Sequence, residues 1–392
     1  MTPLAIPAFT VTTALGRGLG AQLGALHRGR SGLRAAPFEG CGLPGWTGVV
    51  DGLDQPLSAP WQDWDCRNNR LAELGLQQDG FFEAAVRLRE RHGAARVGLF
   101  IGSSTAGVHQ TEGAYRERGS SSGPLPAWFR YRNTQNMYSV ADYLRLRLGL
   151  DGVSMVISTA CSSSAKVFAS AQRAIAAGFC DAAIVGGVDS LCQTTLYGFN
   201  SLQLLSSAPC RPADIARNGI SIGEAAGFAI VEPGADAAFA LLGYGESSDA
   251  WHMSAPEPDG RGAFEAMSAA LQRASLIAAA VDYINLHGTA TPANDLAESR
   301  AVCRVFGSAT ACSSTKGWTG HTLGAAGIVE AVLSLLCLEN GLIPRSLNSV
   351  EIDPAIEADI ILETRRAPIR HVLSNSFGFG GSNCSLLFGR QP

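Results

Sequence analysis

The run VSMVISTACSSSAKVFASAQRAIAAG, residues 153–178, decides how the rest of the chain is read. Residues 153–159 are short, β-branched and almost wholly apolar, the composition of a strand buried on both faces. From Ser162 onward the residues are small and helix-tolerant, with Ala165, Phe168, Ala169, Ala171 and Ile175 spaced to face a core. Cys161 stands at the hinge between the two. There it meets the positive end of a helix dipole and unpaired first-turn N–H groups, which favour thiolate over thiol and can hold a developing oxyanion. Ala160, Ser162, Ser163 and Ser164 leave room for a substrate beside it. A small buried apolar cysteine fits the same pattern, so side chains elsewhere must decide between the two.

Outward from this unit, strand-like runs alternate with helical ones, which predicts an α/β architecture. Residues 4–13 read as a strand leading through Gly16, Gly18 and Gly20 into a helix. A strand-to-helix turn is favoured there over a dinucleotide fingerprint, because Ala21 stands where G-x-G-x-x-G needs its third glycine. Residues 31–63 look irregular, 69–91 helical, 96–104 a buried strand, 105–126 a long loop and 128–148 helical. Residues 181–189 form another buried strand, and 222–232 and 238–247 read as two paired strands. A helix at 295–306, a strand at 309–314 and a long helix at 320–340 precede a C-terminal strand pair around Gly378, Gly380 and Gly381. Strand, small-residue turn and long buried helix occur at 153–178 and again at 309–340, an internal echo that suggests duplication. The expected division is 1–233 and 234–392.

A chain of 392 residues accommodates two domains or one duplicated unit. With 46% hydrophobic and 16% charged residues it can bury a large core, and a net charge of −4 argues against a general nucleic-acid or polyanion binder. The ten cysteines are scattered without a CxxC pair, which fits reduced, mostly buried thiols in a cytoplasmic protein better than a zinc cage or disulfides. The N-terminal residues lack a basic segment followed by an apolar core, and the sequence reading finds no apolar span of ~18 residues, so no membrane segment is expected.

Three further stretches place reactive side chains where strands end. These are YINLHGTATPAND with His287, SSTKGWTGHTLGAAG with Lys316 and His321, and NSFGFGGSN, whose glycines let backbone approach a ligand. Singly each has a plainer reading, as a capped histidine, a surface lysine and a tight hairpin, and for His287 alone the plainer one is favoured. Jointly they put a cysteine, two histidines and a lysine at element ends.

TACSSSAK around Cys161, NLHGTATPAND around His287, STKGWTGHTLGAAG around Lys316 and His321, and SNSFGFGGSN near the C-terminus together resemble the motif set of the elongating β-ketoacyl-acyl-carrier-protein synthases, types I and II. The resemblance keeps the family's order over essentially the whole chain. It implies a thiolase-like five-layered αβαβα fold of two βαβαβαββ halves, usually a dimer. It implies that Cys161 is the acylated nucleophile, His287 and His321 the pair at the condensation step, and Lys316 a structural and electrostatic support. Phe379 would be a movable gate flanked by Gly378 and Gly380, its N–H and that of Cys161 forming the oxyanion hole. The reaction implied is decarboxylative condensation of malonyl-carrier with an acyl chain on Cys161, in fatty-acid or polyene-type elongation, without metal or redox cofactor. A type III synthase would have asparagine in place of His321, a thiolase a second active-site cysteine, for which Cys384 is the position to check, and a chain-length-factor subunit would have lost Cys161.

Two departures from the family matter. Its RDGF reads Arg217-Asn218-Gly219-Ile220 here, so that Ile220, with Phe377, would line a wider acyl pocket. Its GSG segment reads Gly102-Ser103-Ser104-Thr105, which places Thr105 where chain length is set. Both point to bulky, unsaturated or aryl-capped chains and to a specialised aryl-polyene or polyketide subunit of a heterodimer as the second reading. The implied partners are an acyl carrier protein and an identical or related ketosynthase-like subunit. Carriers of this kind are acidic, so a basic rim is expected, with Arg67, Arg70, Arg130 and Arg132 as its candidates.

Overall fold

The β-branched and apolar runs pair into two large sheets in a computed structural model, which describes residues 1–35 and 38–391. In the first sheet the strands Phe9–Thr13, Ala225–Val231, Ala182–Asp189, Val97–Gly102 and Ser154–Ile157 lie side by side in that order. In the second the order is Phe239–Ser248, Ser382–Arg390, His371–Gly378, Tyr283–Asn285 and Ala311–Ser313. Numbered along each half of the chain, both read 1-5-4-2-3, with antiparallel pairing at 1-5 and 5-4 and parallel pairing at 4-2 and 2-3. The internal echo is therefore a repeat of whole topology.

The layers follow from which faces are apolar. Along Ala182–Asp189 every residue is buried. Ala183 and Val185 join a central core, while Ala182, Ile184 and Val188 join an outer one, the alternation of a strand covered on both faces. The central core also holds the helices Ser163–Ala176 and Ala326–Asn340, sandwiched between the sheets. Helices Arg67–Leu76, Phe81–His92 and Ser139–Leu148 cover the outer face of one sheet, and Arg261–Ala274 and Pro292–Phe306 cover the other. The result is the five-layered αβαβα fold that the sequence resemblance implies.

Several local expectations change. Residues 4–13 are two strands, because Pro7 has no N–H for a ladder. Leu4–Ala5 pairs with Phe239–Ser248 in the second sheet and Phe9–Thr13 sits in the first, so the chain's start crosses between the halves. The runs near 222–232 and 238–247 do not pair with each other but enter different sheets. The helix expected at 69–91 is broken where Asp79 and Gly80 turn left-handed, at φ 55° and 68°. The loop expected at 105–126 contains the helix Val108–Arg116. Leu323–Asn340 does form an 18-residue run of mean hydropathy 1.5, but 89% of it is buried between the sheets. Buried on nearly every side, with Glu330 as its one buried carboxylate, it is the helix of a core.

Candidate active site

Cys161 follows Ala160, whose φ of 53° is left-handed for a residue with a Cβ. The strain has a visible support. The Ser163 hydroxyl donates to the Ala160 carbonyl at 2.5 Å and accepts from the Thr159 N–H at 2.9 Å, while Ser162 Oγ donates to the Thr159 carbonyl at 2.9 Å. This kink ends the strand, starts the helix Ser163–Ala176, and leaves Cys161 as its only reactive side chain at the tip of the turn. Gly378 packs against the same kink, where a Cβ would lie 2.7 Å from the Thr159 carbonyl oxygen. That close approach brings the Phe379 N–H to face the Cys161 sulfur.

His321 comes from the other half of the chain, yet the first half holds its backbone. Its N–H donates to Ser221 O at 2.7 Å and its carbonyl accepts from Gly223 N at 2.9 Å. His321 precedes the turn Leu323–Ala325, which leads into Ala326–Asn340, so the long helix begins later than the sequence pattern suggests. The Leu323 N–H donates to His321 Nδ1 at 3.3 Å, and His321 Nε2 lies 2.9 Å from Cys161 Sγ. His287 closes the group, its ring 5.4 Å from that of His321 at an interplanar angle of 85°.

Lys316 fixes His287. The ammonium donates to His287 Nδ1 at 3.3 Å, to the His287 carbonyl and to Glu330 Oε1, so its three protons meet three acceptors. Glu298 anchors the same loop, its carboxylate accepting from the N–H groups of His287 and Gly288 at 2.8 Å each and from Asn375 Nδ2 at 3.1 Å. Because an ammonium cannot accept, His287 Nδ1 must be the acceptor. The same logic applies to His321 Nδ1 opposite the Leu323 N–H. Both rings therefore carry their proton on Nε2, which points into the cavity.

The electrostatics agree. Burial, reinforced by the Lys316 charge, drives both imidazoles well below the ordinary histidine range, so they are neutral. Burial pushes the Cys161 thiol up to about 11, against the pull of Lys316 and the Phe379 N–H. This reverses the expectation that the helix terminus alone favours thiolate. The thiol is protonated at rest, and the donors around it stabilise sulfur once the proton has left. One sulfur and two imidazoles offer ligand atoms within 4.8 Å of one another. A metal-bound histidine donates from its other ring nitrogen, whereas here both Nδ1 atoms accept, so the trio as bonded does not fit a metal.

Two cavities of about 390 and 420 Å³ meet at Cys161, Phe199, Leu202 and Phe379. The first is lined by His287, His321, Ile220, Phe377 and Gly378. Gly380, at φ 78°, completes the turn behind Phe379. Ser104 rather than Thr105 lines the second cavity; the Thr105 hydroxyl is turned away and donates to Asp189 at 2.9 Å. Arg67 is not a surface residue. It is 5% exposed and held by the buried Glu224 at 2.6 Å. Arg70 is half-buried on Asp65 at 2.5 Å, whereas Arg130 and Arg132 are exposed. Cys384 is buried in the strand pair and lines neither cavity.

Glu298, Glu330 and Asp189 join the site without being among the residues expected from the sequence. For Glu330 a signal existed, since a carboxylate inside IVEAVLSLL demands a buried partner.

Residues 71–237 match the N-terminal and residues 238–350 the C-terminal domain of beta-ketoacyl synthase. The 3-oxoacyl-[acyl-carrier-protein] synthase 2 of Vibrio harveyi is 36% identical over 83% of this chain and 86% of its own. The ketosynthase ApeO of Xenorhabdus doucetiae, solved in complex with its chain length factor ApeC, superposes with a TM-score of 0.90 at 36% identity, covering 100% of this chain and 98% of that one. A beta-ketoacyl synthase from Burkholderia phymatum gives a TM-score of 0.87 at 30% identity, with 100% of both chains covered. The chain belongs to the β-ketoacyl synthase family.

Proposed function

We propose that the protein is a β-ketoacyl-[acyl-carrier-protein] synthase, an acyltransferase that lengthens an acyl chain by decarboxylative condensation with malonyl-carrier. The observation that carries this reading is the pair of Nε2–H groups, each fixed by a partner on its own Nδ1, converging on one sulfur.

In the first half-reaction Cys161 attacks the acyl thioester on the carrier's phosphopantetheine. The oxyanion sits between the N–H groups of Cys161 and Phe379, and the thiol proton leaves with the carrier's departing thiol. In the second, malonyl-carrier loses CO2 and its enolate oxygen accepts from His287 and His321 Nε2–H. Neutral rings suit this role, since imidazolium would protonate the nucleophilic carbon. The carbon attacks the Cys161 thioester, the carbon–sulfur bond breaks, and the Cys161 thiolate that leaves takes up a proton from water. Lys316 acts through His287 and is never a proton donor to substrate.

The acyl carrier protein is the proposed partner, with Arg130 and Arg132 as the exposed remnant of the expected basic rim. A second ketosynthase-like subunit, identical or related, completes the assembly, and a cytoplasmic location fits. The relation to ApeO favours one alternative, a specialised polyene or polyketide subunit paired with a chain-length factor. Retention of Cys161 weighs against this chain being the non-catalytic member.

The test is reconstitution with acyl-carriers of saturated, polyene and aryl-capped chains and malonyl-carrier, reading products by mass. His287→Ala and His321→Ala are expected to lose condensation by about 10²-fold or more while Cys161 is still acylated. Condensation unchanged in both variants contradicts the proposal. Ile220→Phe is expected to narrow the accepted chains, and an unchanged profile removes Ile220 from the pocket reading.

A further inference from the structure

Asp189, at the end of the strand Ala182–Asp189, is wholly buried and touches neither the sulfur nor the imidazoles. Six neutral donors converge on its carboxylate. They are Ser103 Oγ at 2.8 Å, Ser104 N and Oγ at 2.7 and 2.5 Å, Thr105 N and Oγ1 at 3.0 and 2.9 Å, and Gly324 N at 2.6 Å. Five of them come from the loop that supplies Ser104 to the second cavity. The sixth comes from the other half of the molecule, three residues after His321.

That sixth bond has a consequence for the catalytic ring. Gly324 follows Leu323, whose φ of 54° is strained for a residue with a Cβ. In this strained turn the Leu323 N–H points back at His321 Nδ1, the contact that puts the ring proton on Nε2 and aims it at Cys161 Sγ. The shortest restraint on the turn is Asp189 Oδ2 on Gly324 N, and a Cβ at Gly324 would lie 2.7 Å from that same oxygen.

We propose that Asp189 is a positioning residue for the condensation step: by holding the strained Leu323–Gly324 turn across the boundary between the halves, it selects the His321 tautomer that donates to the cavity. The inference rests on the proposed function for its catalytic meaning, but the tautomer is observable without any substrate. A structural pin that merely orders the Ser103–Thr105 loop would not touch His321.

The experiment reads long-range ¹H–¹⁵N correlations of protein labelled with ¹⁵N-histidine, with the His321 signals assigned by their loss in His321→Gln. Wild type is expected to show His321 protonated on Nε2 alone. Asp189→Asn and Gly324→Ala are expected to show a population protonated on Nδ1, and to lose about 10- to 100-fold in kcat for condensation, with KM changed by about two-fold or less. Ser103→Ala, which removes one donor from Asp189 but leaves the Gly324 bond, is expected to keep the wild-type tautomer and kcat. Should Asp189→Asn fail to fold, Gly324→Ala carries the same test and Asp189→Glu provides the rescue. A His321 ring that stays protonated on Nε2 alone in the folded variants overturns the proposal. Displaced tautomers in a protein that condenses no acyl-carrier leave the positioning role standing and remove the enzymatic reading instead.

Discussion

The two halves share one strand order but end their third strands differently. After Ser154–Ile157 the first half turns at once into the helix Ser163–Ala176, with Cys161 on a strained kink. After Ala311–Ser313 the second half spends residues 314–325 on a short helix, a reversal and a second strained turn before Ala326–Asn340 begins. In the proposed reaction the short turn presents the nucleophile, and the long one reaches across to supply its electrostatics. A duplicated scaffold thus gives two equivalent positions facing each other at the middle layer, and on the proposed function the difference in turn length makes one the reacting atom and the other its environment.

The largest way to break this division of labour is Lys316→Ala. It leaves Glu330 buried without its cation, a cost of about 3–5 kcal/mol, and it frees His287 to place its proton on either nitrogen. Thermal denaturation and condensation kinetics should both fall sharply. A variant that melts like wild type would show that Lys316 and Glu330 are not the coupled pair described above.

Ser163→Ala attacks the short turn. Losing the hydroxyl leaves the Thr159 N–H without its acceptor and the Ala160 carbonyl with only the Ser163 N–H at 3.2 Å, worth about 1–3 kcal/mol, and relaxes the Ala160 kink. Acylation of Cys161 should slow while decarboxylation assisted by the histidines is less affected. Equal losses in both steps would mean that the kink serves stability alone.

The thiol's acidity offers a finer comparison. Burial raises the Cys161 pKa to about 11 and Lys316 opposes it, so alkylation of the free enzyme by iodoacetamide should rise with pH toward that range. In Lys316→Ala the midpoint should move higher still, because the favourable cation is gone. A midpoint near or below neutrality would restore the helix terminus as the dominant influence.

Much of this was legible in the sequence. The hinge at Cys161, the alternation of strands and helices and the four motif stretches are local patterns, and local patterns carry period and turn chemistry. What was hidden depends on partners far along the chain. Arg67 read as a surface cation because nothing near it in sequence reveals Glu224, which buries it. Thr105 resembles a pocket residue in sequence because nothing local says which way its hydroxyl turns, and Asp189 lies in another strand. The runs near 222–232 and 238–247 looked like a hairpin because adjacency in sequence is the default cue for pairing, and only the duplication sends them to separate sheets.

Intact-mass spectrometry of the protein after incubation with acyl-carrier, and again after malonyl-carrier is added, tests the central claim most directly. The account predicts an acyl adduct that maps to Cys161, is absent in Cys161→Ser, and disappears on adding malonyl-carrier as a carrier-bound product longer by two carbons appears. An adduct on another residue, or an adduct on Cys161 that malonyl-carrier never discharges, would contradict it.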